Sequence, residues 1–179
     1  TDGMAEALLR NVMRNARLAL QKPADYDVRA EIMWAGTLSH NDITGDRSQG
    51  DWASHQLEHE LGGMFDIAHG AGLAAIWGSW ARYVLKQNPC RFAQLAVNVL
   101  NVPYSFGNDE KTALEGIAAM EDFFRSIGMP TSISDMEIEL TDAQIKELAH
   151  KCSFMGRRTI GGFVTLNAAD MENIYRMAR

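Results

Sequence analysis

The chain has 179 residues, enough for one globular domain or two small lobes. Hydrophobic residues make up 46% and charged residues 22%, which is ordinary for a globular protein, and the formal net charge is −6. This negative charge argues against unassisted binding to nucleic acid or to acidic membranes. No apolar run approaches the ~20 residues that a membrane-spanning helix requires. The composition therefore predicts a protein that binds neither nucleic acid nor membrane.

The cysteine content and the first residues bear on the compartment and on the completeness of the chain. Two cysteines, Cys90 and Cys152, are too few for a disulfide framework, and ten methionines fit a reducing environment. No signal peptide is recognisable, so we expect a cytoplasmic protein. Thr1 leads directly into an amphipathic helix without an initiating methionine, and we interpret the chain as part of a longer protein.

Helical periodicity dominates the sequence, and no persuasive set of strands is present. The predicted helices cover, in chain order, about residues 3–22, 25–40, 51 to the glycine pair at 62–63, 69–88, 90–100, 109–127, 141–151 and 167–178. In the sixth helix Leu114 is predicted to face inward. Residues 41–50 are predicted to form a loop, and residues 156–164 a turn or one short strand. The predicted fold class is all-α.

Three of the five histidines lie in one segment, DWASHQLEHELGGMFDIAHGAGL, which runs from Asp51 to Leu73. His55 and His59 are four residues apart and therefore share one face of a helix. His69 follows ten residues later, and a reversal near Gly62-Gly63 would bring it against that face. Imidazoles that converge from two segments suit a divalent transition metal.

Other interpretations of this segment remain open. A single histidine on a helix is more often a hydrogen-bonded core or surface residue than a ligand. The pentapeptide His55-Gln-Leu-Glu58-His59 also matches the His-x-x-Glu-His pattern of inverted zinc peptidases, in which the glutamate activates water. That pattern is short, and it gives His69 no role. A free-standing helical metal-binding or interaction module is the non-enzymatic alternative.

The segment from Asp51 to Ile76 resembles the C-terminal metal motif of the iron-dependent (group III) alcohol dehydrogenases, and most closely their butanol dehydrogenase-like branch. Flanking sequence agrees, and the resemblance covers nearly the whole chain. The supporting stretches are KPADYDVRAEIMWAGTLSHND (22–42), WARYVLKQNPCRFAQLA (80–96) and FFRSIGMPTSISD (123–135).

This resemblance implies a dehydroquinate synthase-like C-terminal helical domain of about eight helices. It implies that His55 and His69 bind a divalent metal, iron or zinc, and that His59 is a catalytic proton-relay residue beside the metal. The remaining Asp and His ligands would precede Thr1, as would an α/β domain that binds NAD(P) and is absent from residues 1–179. With half of the ligands, we expect this chain to bind metal weakly by itself. The complete enzyme would be a homodimer that transfers hydride between NAD(P) and a primary alcohol or aldehyde such as butanol.

Several aromatic and acidic residues near the histidines are further candidates. Trp52 and Phe65 lie closest in sequence to the histidines and are predicted to line a substrate pocket. Trp77 and Trp80 occur at helical spacing, which favours a core position. Asp66 is predicted either to orient a histidine or to serve in a cap or loop.

Overall fold

The structure, a computed structural model, describes residues 1–45 and 50–179, and eight α-helices account for most of them. The helices are α1 (Asp2–Gln21), α2 (Tyr26–Ser39), α3 (Ala53–Phe65), α4 (His69–Val84), α5 (Pro89–Asn98), α6 (Asp109–Ser126), α7 (Asp142–Cys152) and α8 (Ala168–Ala178). One isolated antiparallel bridge, Ile160 with Leu166, is the only β pairing within these ranges. The predicted all-α class is therefore confirmed. No helix in the described ranges is long and apolar enough to cross a bilayer.

The helices fall into two compact units. The first comprises Thr1–Gly50 and Pro89–Ile127, with α1, α2, α5 and α6. The second comprises Asp51–Asn88 and Gly128–Arg179, with α3, α4, α7 and α8. The histidine segment therefore lies entirely in the second unit.

In the first unit, α1 packs against α2 and α5 packs against α6. The α5–α6 contact is unusually close at Gly116, where a Cβ atom would lie 2.4 Å from the Cβ of Ala96 and 3.1 Å from its Cα. Arg17 of α1 stacks over the ring of Phe123 in α6, with 5.1 Å between the guanidinium carbon and the ring centroid. A residue larger than glycine at position 116 would force α5 and α6 apart.

In the second unit, α7 and α8 hold the backbone of α3. The fully buried Tyr175 of α8 donates its hydroxyl hydrogen bond to the carbonyl of Leu57, at 2.6 Å. Burial raises the pKa of Tyr175 well above its usual value, so the hydroxyl stays neutral and remains a donor. Leu57 and Leu61 are fully buried on the same side of α3, which leaves the opposite side of this helix for the histidines.

The sequence predicts Asp51 as a cap for α3; in the structure Trp52 is the N-cap residue, and the carboxylate of Asp51, one position earlier, bonds the first turn. Asp51 accepts a hydrogen bond from the backbone N–H of Ala53 at 2.7 Å. Its other oxygen accepts from the N–H groups of Gly162 and Phe163, at 3.1 and 2.8 Å. The region 156–164 is a turn rather than a strand, with Gly161 at φ +93°. Asp51 therefore joins the first turn of α3 to this late loop.

Two local predictions are wrong. The chain does not reverse at Gly62-Gly63, because α3 continues through both glycines to Phe65 and the reversal occurs at Asp66, which adopts the left-handed conformation with φ 53° and ψ 46°. Packing of α3 overrides the helix penalty of glycine, which is about 1 kcal/mol relative to alanine. Leu114 faces outward with 41% exposure, because Ala113 and Ile117 occupy the buried positions.

The other helix boundaries agree with the sequence to within about two residues, except that α4 passes at Leu85 into a short 3-10 turn, Leu85–Gln87. The spacing of Thr141 and Gln144 predicts a capping box at the start of α7, and the structure confirms it. The predicted loop 41–50 is confirmed at 41–45 and at Gly50, while residues 46–49 lie outside the described residues.

The close approach at Gly116 leads to a stability prediction. We expect Gly116→Ala to lower the free energy of unfolding by about 1–3 kcal/mol, because the new methyl group overlaps Ala96. The matched control is Gly36→Ala in α2, where a Cβ atom would meet nothing within 4 Å and should raise stability by up to ~1 kcal/mol. Urea unfolding of both variants measures the difference. Equal stabilisation by both substitutions would contradict the close contact.

Candidate metal centre

Three imidazole rings converge at the junction of α3 and α4. His55 and His59 lie one turn apart on α3 with their ring centroids 6.4 Å apart, and His69 is the first residue of α4. The centroid of the His69 ring lies 5.4 Å from that of His55 and 5.3 Å from that of His59. The spacing in the sequence therefore predicted the convergence of these rings. It did not establish which of them bind metal, and those roles stay a prediction.

A short connection produces this arrangement. The backbone N–H of Asp66 closes α3 by donating to the carbonyl of Gly62 at 2.8 Å, and α4 begins three residues later. The side chain of Asp66 is exposed, so the structure supports the predicted loop role rather than orientation of a histidine. Gly72, in the first turn of α4, is buried, and a Cβ atom there would overlap both Glu58 and Ile67. The Gly-Ala-Gly sequence after His69 therefore permits close contact with α3.

The sequence did not identify Glu58 as the hydrogen-bond partner of His69. The Glu58 side chain is only 2% exposed, and its Oε2 accepts a hydrogen bond from Nδ1 of His69. From the sequence, Glu58 had a role only as the general base of the peptidase alternative. A signal was nevertheless present in the sequence. Glu58 follows Leu57 and precedes Leu61 by three residues, so helical periodicity places this acidic residue on the same buried side of α3 as the two leucines.

The donor set fits a divalent transition metal. One ligand atom each from Glu58, His59 and His69 lies within 4.8 Å of the others. Ligand atoms bound to one zinc ion at 2.0–2.2 Å lie at most about 4.4 Å apart, so small side-chain rotations would complete such a site. The ring of His55 is as close to His69 as the ring of His59 is, centroid to centroid, but His55 is not part of this group of ligand atoms. Imidazole nitrogens bind iron and zinc alike.

Aromatic residues near the histidines differ in their placement. The indole of Trp52 meets the ring of His55 edge-on, with 4.9 Å between centroids, and is 55% exposed. Trp52 therefore lies beside the histidines with a free surface. Phe65 is half-buried at the last residue of α3. Trp77 and Trp80 are half-buried on α4.

The cysteine that contacts the histidine helix is a buried thiol hydrogen-bonded to the backbone of that helix. Cys152 is fully buried, and its thiol donates a hydrogen bond to the carbonyl of Gln56 at 3.4 Å. Burial raises the pKa of the Cys152 thiol to about 11, so the thiolate form is scarce. Cys90 is exposed and belongs to the first unit.

Comparison with known proteins identifies the family of the chain. The profile described as "Fe-containing alcohol dehydrogenase family, C-terminal" matches residues 1–179. "Probable NADH-dependent butanol dehydrogenase 1" of Bacillus subtilis (strain 168) is 37% identical over 175 residues, which are 98% of this chain and 44% of that protein. The substrate- and cofactor-free aldehyde reductase YqhD from E. coli superposes with a TM-score of 0.89 at 31% identity, over 99% of this chain and 46% of that one. NADH-dependent butanol dehydrogenase A from Thermotoga maritima superposes with a TM-score of 0.89 at 29% identity, over 98% of this chain and 45% of that one.

The fold and the histidine cluster define a helical domain suited to a divalent metal. The match over its whole length shows that the chain belongs to the Fe-containing alcohol dehydrogenase family, of which it represents the C-terminal part. The chain spans just under half the length of the relatives that it matches.

The contrast between the two thiols is testable by alkylation. At about pH 8, we expect iodoacetamide to modify Cys90 in the folded chain and to leave Cys152 intact, because Cys152 is buried and its raised pKa keeps it protonated. Both thiols should react after unfolding in urea. The control is Cys90→Ser, which should take up no reagent while folded. Rapid labelling of Cys152 in the folded control would contradict its protonated, enclosed state.

Proposed function

We propose that this chain is the metal-binding domain of an enzyme that transfers hydride between NAD(P) and a primary alcohol or aldehyde such as butanol. The observation that carries the proposal is the convergence of three imidazoles on a chain of this family, with centroid separations of 5.3 to 6.4 Å. The relatives named as butanol dehydrogenases and as an aldehyde reductase support the substrate class.

In this proposal, His55 and His69 bind the metal, which is iron or zinc. The two rings belong to different helices, so α3 and α4 would together fix the ion. When bound, the ion would polarise the substrate oxygen, and the nicotinamide would carry the hydride. An Asp and a second His would complete the ligand set from sequence outside residues 1–179.

His59 has the position and exposure for a proton relay. Its ring lies 5.3 Å from that of His69, centroid to centroid, and the residue is exposed. It would take the proton released by the alcohol during oxidation, pass it to solvent, and return a proton during aldehyde reduction. Trp52, exposed beside His55, offers an apolar surface for the hydrocarbon part of the substrate.

The remaining features of the enzyme are proposed from the family. The cofactor would bind an N-terminal α/β domain outside residues 1–179, and two copies would form a cytoplasmic homodimer. The relatives' greater length leaves room for such a domain, since the chain covers 44–46% of them.

The two alternative functions lose support. An inverted zinc peptidase requires Glu58 to activate a water molecule, whereas this carboxylate is buried and bound to His69. A free-standing helical module does not account for a family match over the entire chain. Each alternative predicts a measurable result. A peptidase would hydrolyse peptides without nicotinamide, and a free-standing module would bind metal but show neither peptidase nor dehydrogenase activity.

The different roles of His55 and His59 are separable in the natural-length protein that contains this chain. We expect His55→Ala to lose bound metal, because it removes a ligand. His59→Ala should keep the metal while kcat for butanol oxidation falls roughly 10²–10⁴-fold, the usual effect of losing a general acid–base group. Elemental analysis measures the bound metal, and steady-state kinetics of butanol oxidation with NAD⁺ and with NADP⁺ as hydride acceptor measures kcat.

The matched control for these variants is His150→Ala, which removes an exposed imidazole from the last turn of α7. It should change neither metal content nor kcat. Loss of metal from the His59 variant with full retention in the His55 variant would reverse the assignment. Absence of dehydrogenase activity and metal in the unsubstituted protein would refute the proposed function.

A further inference from the structure

We propose that Glu58 is a positioning residue that holds His69 by its Nδ1 atom and thereby directs Nε2 toward the metal. The inference rests on the proposed function, since it assigns a task to Glu58 within that site. It starts from a contact that the sequence did not predict, the hydrogen bond between Glu58 Oε2 and His69 Nδ1.

The burial of the two partners is strongly unequal. The Glu58 side chain is 2% exposed, whereas the His69 side chain is 50% exposed. The imidazole therefore has one edge against a buried carboxylate and another edge open. Because Nδ1 is occupied by the carboxylate, Nε2 is the ring nitrogen left for an ion bound between His69 and the rings of His55 and His59.

The hydrogen bond also selects the tautomer of His69. A carboxylate can only accept, so Nδ1 must carry the hydrogen and donate it. A neutral ring protonated at Nδ1 has its lone pair on Nε2, which is the form that binds a metal. Carboxylate partners of metal-bound histidines typically contribute 10–100-fold to metal affinity.

The backbone leaves room for the carboxylate at two glycines. A Cβ atom at Gly72 would lie 2.6 Å from Glu58 Oε1 and 2.7 Å from its Cγ, and one at Gly62 would lie 3.0 Å from Oε1. By contrast, a Cβ atom at Gly63 would meet nothing within 4 Å, and one at Gly70 only Met129 Cε at 3.9 Å. Gly62 and Gly72 thus form a cradle for the carboxylate, on one side from α3 and on the other from α4.

A buried carboxylate is stable only with a partner, because its desolvation is costly. Glu58 therefore keeps its hydrogen bond to His69 in the metal-free protein. The ring is oriented in advance, so binding a metal does not require it to be ordered first. The pair is thus suited to positioning a ligand.

The competing assignment is that Glu58 is itself a ligand, since its carboxylate lies within 4.8 Å of ligand atoms of His59 and His69. Substitution by glutamine separates the two roles. An amide oxygen can still accept from Nδ1, so Glu58→Gln preserves positioning, but an amide poorly replaces a carboxylate ligand. Glu58→Ala removes both capacities.

The first test is a competition titration of the natural-length protein with Zn²⁺ and a chelator. We expect Glu58→Ala to weaken zinc affinity about 10–100-fold, and Glu58→Gln to stay within about threefold of the unsubstituted protein, as expected if the hydrogen bond persists. Glu60→Ala, which removes another glutamate from α3, is the matched control and should leave affinity unchanged. Circular dichroism establishes that each variant is folded.

The second test reads the tautomer in the metal-free protein by histidine nitrogen NMR at about pH 8, where free imidazole is neutral. His69 should carry its hydrogen on Nδ1 in the unsubstituted protein and in Glu58→Gln, and on Nε2 in Glu58→Ala. Gly72→Ala, which displaces the carboxylate, should act like Glu58→Ala, whereas Gly70→Ala should not. A purely structural contact would lower stability in these variants without changing zinc affinity in the folded protein.

The outcomes separate this inference from the proposed function. If the unsubstituted protein binds zinc and Glu58→Ala binds it equally well, the positioning role is overturned and the proposed function stands. Equal loss of affinity in Glu58→Ala and Glu58→Gln overturns positioning in favour of direct ligation. If the unsubstituted protein binds no metal and oxidises no alcohol, the proposed function fails and the inference fails with it, whatever the tautomer.

Discussion

The contact between the first turn of α4 and the buried side of α3 is the constraint on which the histidine cluster depends. His69 can meet His55 and His59 only because three residues separate α3 from α4 and because α4 approaches α3 without a side chain at Gly72. The Glu58–His69 hydrogen bond lies in this contact. A bulkier first turn of α4 would separate the rings even if every histidine remained.

The rest of the second unit supports that contact by holding the backbone of α3. Tyr175 and Cys152 donate hydrogen bonds to the carbonyls of Leu57 and Gln56, while the buried side chains of α3 fill the core of the unit. Asp51 fixes the start of the helix to the loop near Gly162. With its core side and its first turn fixed, α3 presents His55 and His59 from a rigid element, which is what a metal site needs for defined geometry.

Local sequence patterns predicted the helices of the fold and one part of the site, the pair His55 and His59. The Thr141 capping box and the pairing of His55 with His59 depend only on residues three or four apart, so sequence spacing predicts them directly. The reversal point was misplaced because glycines suggested a break, whereas packing kept α3 intact and Asp66 adopted the left-handed turn. The hydrogen bond between Glu58 and His69 forms only because α4 packs against α3, and the spacing of residues within one helix does not predict that packing.

Family resemblance contributed what spacing could not, namely separate roles for three similar histidines. In the structure His55 and His59 are nearly equidistant from His69, at 5.4 and 5.3 Å between centroids. Centroid distances therefore do not rank His55 and His59, whereas the distances between ligand atoms group His59, rather than His55, with Glu58 and His69. The most direct test of the central claim is an anomalous-difference map from crystals of the natural-length protein grown with its native metal. We predict one peak bonded to Nε2 of His55 and of His69; a peak bonded to His59 in place of His55, or no peak at this cluster, would contradict the account.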